Sequence, residues 1–209
     1  SLKQYQMFIN GQWLDAQDKE EAKRYWREEL KGLTGPTSLG INKQPLGIHK
    51  PIDDLREERC CFTEEFTQLC TRFVRKHRVT LSTLLELAWG IVLSRYSNQE
   101  DVVLGTIVSG RPGELAQVEN IVGLFINALP VRLKVDRSRS VKEHLLDLHE
   151  KIQLSNQYSY LSLNEIQSES EVSNELPLFY SLFLFENYPV DNEVGQAGKQ
   201  LSKGDILAK

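Results

Sequence analysis

The sequence predicts an α/β fold, a layered sheet flanked by helices, and three observations carry that prediction. Residues 101–108 form a near-continuous β-branched run, the pattern of an interior strand covered on both faces. Residues 122–135 and 177–186 are two further long apolar runs. Between them lie segments whose apolar residues recur at helical spacing. Strands that alternate with helices favour layers in which helices cover a sheet.

The first helix is expected over 18–30. Asp18 caps it, Glu21 completes a capping-box pattern and Gly32 suits its end. Ala22, Tyr25, Trp26, Leu30 and Leu33 make its apolar stripe. Residues 34–54 contain Pro36, Pro45 and Pro51 and read as a connector, long enough to link two subdomains. A short strand is expected at 59–62, then a helix capped by Thr63 and running to about residue 76, with Phe66, Leu69, Cys70, Phe73 and Val74 on one face. Arg75, Lys76, His77 and Arg78 fall at its C-terminal end, where positive charge complements the helix dipole. The next helix, 82–96, has so little polar surface that burial on most sides is expected. Pro130 implies an edge, a bulge or an interruption in the strand of 122–135. Ser140 and Glu143 form a second capping box, opening a helix to about residue 155 with Val141, Leu145, Leu148 and Ile152 inward.

Composition narrows the function classes. The chain has 209 residues, 40% hydrophobic and 26% charged, enough for a core in one domain or a large piece of a bigger one. A net charge of -4 with scattered basic residues offers no stripe for a phosphate backbone, so nucleic acid is not an expected partner. No apolar run approaches the ~20 residues of a membrane span, and no membrane association is expected. Cys60, Cys61 and Cys70 make neither a disulfide framework nor a CxxC metal pair. They are expected to be small buried hydrophobes in a reducing cytoplasm.

A direct search for chemistry finds no complete active site. Ser109 lacks the flanking glycines of a nucleophile elbow, because Ile107 and Arg111 occupy those positions. His144 and His149 stand at i and i+5, so they cannot share a metal on one helix face. Glu186 ends a strongly apolar strand and is expected to pair structurally with a buried amide or an Arg.

Three segments carry more than burial demands. They are Ser109-Gly110-Arg111-Pro112, the run Val122-Gly123-Leu124-Phe125-Ile126-Asn127-Ala128-Leu129-Pro130-Val131-Arg132, and Phe185-Glu186-Asn187-Tyr188-Pro189. With Tyr25-Trp26, Gln99-Glu100-Asp101-Val102-Val103-Leu104-Gly105-Thr106 and Asn156-Gln157 in the same order, they resemble the second half of a nonribosomal peptide synthetase condensation domain. The segment before Tyr25 is degraded relative to that family, with Met7 where Asp is usual. No His-His pair and no Asp-Gly pair occurs, so the family's HHxxxDG motif is missing.

The resemblance implies the C-terminal subdomain of a chloramphenicol-acetyltransferase-like fold. It implies an opening helix and inter-subdomain linker over 1–55, the subdomain over 56–191 and a polar tail over 192–209. It also implies half of a peptide-bond-forming acyltransferase, inactive alone and cytoplasmic, with no catalytic residue in this chain. The implied partners are the N-terminal half of the domain, donor and acceptor peptidyl carrier domains with phosphopantetheine arms, and an adjacent adenylation domain. No cofactor or metal is expected to bind directly. An exposed inter-subdomain face is expected to self-associate. A non-catalytic carrier-docking module and part of an epimerization domain are the alternatives.

Candidate tunnel residues are Ser109, Arg111, Gly123, Asn127 and Arg132. Asn127 has two readings: an amide facing the tunnel, or a cross-strand hydrogen bond within the sheet. Arg111 has two as well: a partner for an acidic group or a pantetheine phosphate, or an exposed turn residue. Arg132 has the fork geometry for a carboxylate, expected across the interface to the other half. Gly123 suits a bulge or a close backbone approach.

Overall fold

The computed structural model describes residues 13–40, 57–111, 118, 125–186 and 206–208. In chain order these form α1 (Lys19–Glu29), β1 (Glu58–Cys60), α2 (Glu64–His77), α3 (Leu81–Ser97) and β2 (Asp101–Val108), followed by β3 (Asn127–Lys134), α4 (Val141–Gln157), α5 (Leu163–Ser168), β4 (Leu182–Phe183) and β5 (Ile206–Ala208). The main sheet has the order β3-β2-β4, with β2 antiparallel to β3 and parallel to β4. β1 and β5 form a separate antiparallel pair. This is the layered α/β arrangement expected from the alternating pattern.

Side-chain caps set the helix starts, as the sequence implies for α1, α2 and α4. Asp18 accepts from the Glu21 amide, Thr63 from Phe66 and Thr80 from Thr83. Ser140 and Glu143 close a full capping box on α4. Pro130 lies inside β3, whose one partner among the described strands is β2. An edge tolerates a residue without an N–H. The start of the connector is anchored by Thr37, whose buried hydroxyl accepts a 2.7 Å bond from the amide of Val103. Residues 41–54 of that connector lie outside the described residues.

Two buried clusters divide the core. One joins Leu87 and Leu93 of α3 and Leu145 and Leu148 of α4 to Val102, Leu104, Val131 and Leu133 of the sheet. The other joins Ala22, Trp26 and Leu30 of α1 to Val103, Leu161, Ile166 and Leu178. Gly90 lets α3 approach closely, since a Cβ there would stand 2.9 Å from Leu133.

Several expectations need correction. α3 is not buried on most sides: Ala88, Val92 and Tyr96 are exposed, while Thr83, Glu86 and Ser94 are buried. The helix contacts α2, α4 and β2, and it is the side carrying these polar residues that meets them. Cys60 and Cys61 are exposed and Cys70 is partly exposed, rather than buried. Cys60 sits on β1, whose three residues are all exposed, and Cys61 directly follows it. The run 177–186 forms ladder only at Leu182–Phe183, and its first part packs by side chain instead. α5 is too short, at 6 residues, to show a helical period, although Ser162 and Glu165 form a capping box that marks its start. β5 lies in the segment expected to be a polar tail.

Candidate functional site

In the β2/β3 register Val108 faces Asn127, so the turn leaving β2 meets the segment entering β3 at one end of the sheet. Ser109, Arg111 and Asn127 gather there. Arg132 pairs with Val103 further along the ladder, about 17 Å from Asn127 at the usual strand rise. Gly123 lies outside the described residues.

Gly110 makes this meeting possible. Its φ is +60°, and a Cβ would stand 1.8 Å from the carbonyl oxygen of Phe125. Conformation and space therefore both demand glycine. Arg111 follows with its guanidinium 4.5 Å from the centre of the Phe125 ring, and it donates to the Val118 carbonyl. Such a cation–π contact contributes about 1 kcal/mol. Ser109 is exposed at the tip, as is Ile126, at 61%.

Asn127 is occupied within the chain. Its side-chain nitrogen donates to the carbonyls of Ser159 (2.8 Å) and Leu161 (2.7 Å), and its side-chain oxygen accepts from the amide of Ala128. Of its two readings, the cross-strand bond gives way to a clamp on the α4–α5 connector. The amide thus ties the start of β3 to a turn that has no ladder of its own.

Arg132 is 6% exposed, and its partner lies inside this chain rather than across an interface. Nε and Nη2 form a bidentate pair with Asp101 at 2.8 and 2.6 Å, while Nη1 donates to the carbonyls of Glu29 and Lys31. The Asp101 bond, the largest influence, raises the guanidinium pKa above its ordinary value. Lys151 adds a second tie, donating to the Arg132 carbonyl and pairing with Glu29 at 2.8 Å. That contact is an ion pair, and Glu29 Oε1 has no hydrogen-bond partner among the described residues. The cluster closes the end of α1 onto the sheet.

Tyr25 and Trp26 explain their own place in the motif series. Trp26 is fully buried and donates to the Tyr158 carbonyl at 3.2 Å. Tyr25 shares a 2.7 Å hydroxyl contact with Ser155 and stacks on Tyr158 at 4.6 Å. Burial pushes the Tyr25 phenol up to about 12, so it stays protonated near neutral pH.

One residue escapes the sequence reasoning. Glu86 is 2% exposed on the inner side of α3, where burial pushes its carboxyl up to about 7, opposed by a hydrogen bond from Thr106. Its signal is a lone carboxylate in an otherwise apolar helix, which an expectation of all-round burial conceals. Glu186, expected to pair in the core, is exposed.

Among the described residues no histidine reaches the motif end of the sheet. His77 lies against Phe73, His144 binds the Asp136 carbonyl, and His149 sits between Thr83 and Gln153. No cluster of three or more His, Cys, Asp or Glu is placed to hold a metal among those residues, and none of the helices described is long and apolar enough to cross a membrane. A shallow groove lined by Arg27, Lys31 and residues 168–171 lies beside the Arg132 clamp, away from Asn127. Its mixed charge selects for no one ligand.

The sequence signature described as the condensation domain matches residues 1–208. The chain belongs to the condensation-domain family. A linear gramicidin synthase of Brevibacillus parabrevis is 41% identical over 196 residues, covering 93% of this chain and 2% of that protein. Gramicidin S synthase 2 of Brevibacillus brevis is 36% identical over 209 residues, covering 100% of this chain and 4% of that protein. The condensation-domain chain thus spans a few per cent of these relatives. Among solved structures, the X-domain from teicoplanin biosynthesis superposes with a TM-score of 0.69 at 19% identity, over 85% of this chain and 39% of that one. The first condensation domain of the CDA synthetase gives 0.65 at 19% identity, over 90% and 38%. Both likenesses concern the fold.

Proposed function

We propose that this chain is the C-terminal half of a condensation domain that forms a peptide bond between two carrier-bound thioesters. In that reaction the amine of the acceptor attacks the donor thioester carbonyl, the new amide forms, and the donor pantetheine thiol leaves with a proton. The general base or amine-positioning histidine belongs to the half that carries HHxxxDG, and no His-His pair exists in this sequence. One observation carries the reading: a condensation signature over residues 1–208 in a chain aligning with only 39% and 38% of the two solved domains named above. Ser109 and Arg111, at the exposed end of β2, are this half's contribution to the tunnel wall, with Gly123. Asn127 and Arg132 hold that wall in place from behind.

The proposed partners are the N-terminal half, donor and acceptor carrier domains presenting phosphopantetheine, and an adenylation domain in the same cytoplasmic polypeptide. The inward bonding of Asn127 and Arg132 also favours a second reading, a non-catalytic module that docks a carrier. Loaded donor and acceptor carriers should be assayed with the chain alone and with a separately supplied N-terminal half. Product only in the mixture supports the proposal. Turnover by the chain alone overturns it, and carrier binding without product in either case favours the docking module.

A further inference from the structure

Glu86 lies midway along α3, 2% exposed, and its Oε1 has no hydrogen-bond partner among the described residues. The polar group acting on it is the Thr106 hydroxyl, from the strand beneath. An ionised carboxylate in such a place would forgo water and gain one neutral donor in return. The surrounding elements do not compensate it. On α4 the group turned towards α3 is His149, which contacts Thr83 at 3.3 Å and Gln153 at 2.8 Å. α2 carries Arg72, Arg75 and Lys76 exposed and His77 against Phe73. On β2 the charged residue is Asp101, paired with Arg132 at the far end of the strand. β4 carries no titratable residue, and Trp89 of α3 binds Ser181 beside it. None of these charges acts on the Glu86 carboxyl, whose ionisation is governed by burial and Thr106.

We infer that Glu86 is carried as a neutral carboxylic acid in the folded chain below neutral pH, so that seating α3 on the sheet binds one proton and is weakened as pH rises from acid towards neutral. Burial places the carboxyl at about 7 against an ordinary 4.5, and this sets the sign. Between those values the folded chain holds a proton that the unfolded chain has lost. Stability is therefore full below the ordinary value and falls as pH rises to about 7. A seat of this kind makes the helix under the motif end of β2 responsive to pH without any catalytic group in the chain.

The test compares the 209-residue chain with Glu86→Gln in denaturant unfolding from pH 5 to 8. Glutamine keeps the shape and removes the titration. The wild-type folding equilibrium constant should fall roughly a hundredfold relative to the variant across that range. Parallel pH profiles overturn the inference. Should the variant fail to fold, carbon-13 carboxyl infrared spectroscopy of the wild-type chain decides. A protonated glutamate band present at pH 6 and lost by pH 8.5 supports the inference, and its absence at pH 6 overturns it.

Discussion

Asn127 shows how a motif residue acts when its amide is consumed at home. It gives both N–H groups to carbonyls of the α4–α5 connector, so removing it strands two acceptors rather than one side chain. Asn127→Ala should cost about 1–3 kcal/mol in urea unfolding, and Asn127→Asp should cost no less because it deletes the donors. Gly110 makes a sharper prediction. With φ at +60° and the Phe125 carbonyl where a Cβ would stand, Gly110→Ala must move one strand end. We expect a loss of at least about 1 kcal/mol and shifted amide resonances in 125–127. At Arg132 the partner type is legible in the sequence, since a guanidinium on an apolar strand wants a carboxylate. Its identity is not, because Asp101 becomes a neighbour only once β2 and β3 align.

Among the elements, helix starts are the most readable because capping is local chemistry. Ser140-x-x-Glu143 predicts α4, whereas Ser162-x-x-Glu165 opens α5, a helix not anticipated because no long periodic stretch follows it. Ser140→Ala should cost about 1 kcal/mol and fray the first turn of α4, seen as faster amide exchange there. α3 shows the opposite case. Its apolar composition suggests burial all round, but exposure depends on how many neighbours arrive, and Val92 and Tyr96 stay exposed. The element's polar residues, Thr83, Glu86 and Ser94, lie on the side that meets the sheet and α4. A period finds a face, and only the fold says which face is covered.

For the molecule as a whole, exposed apolar residues are numerous. Phe66 and Leu69 on α2, Tyr96 on α3, and Leu182 and Leu184 at β4 are all at least 45% exposed. In a chain that spans 39% of the X-domain and 38% of the CDA synthetase domain, we expect such surface to associate. Sedimentation at rising concentration should show a growing average mass. A mass that stays monomeric throughout would count against it. Adding an N-terminal half should suppress the association if the two share a face.

By itself the sequence determined the layered α/β class, the family and the caps, since periodicity, β-branching and capping residues act over a few neighbours. It also determined that no His-His and no Asp-Gly pair occurs in these 209 residues, because that is a matter of residue types alone. Only the tertiary structure decided that Asn127 clamps a connector, that Arg132 and Asp101 close α1 onto the sheet, and that Glu86 is buried without a charge partner. Each of those depends on which distant residues share a low-dielectric interior, and burial and hydrogen-bond partnership are properties of that packing.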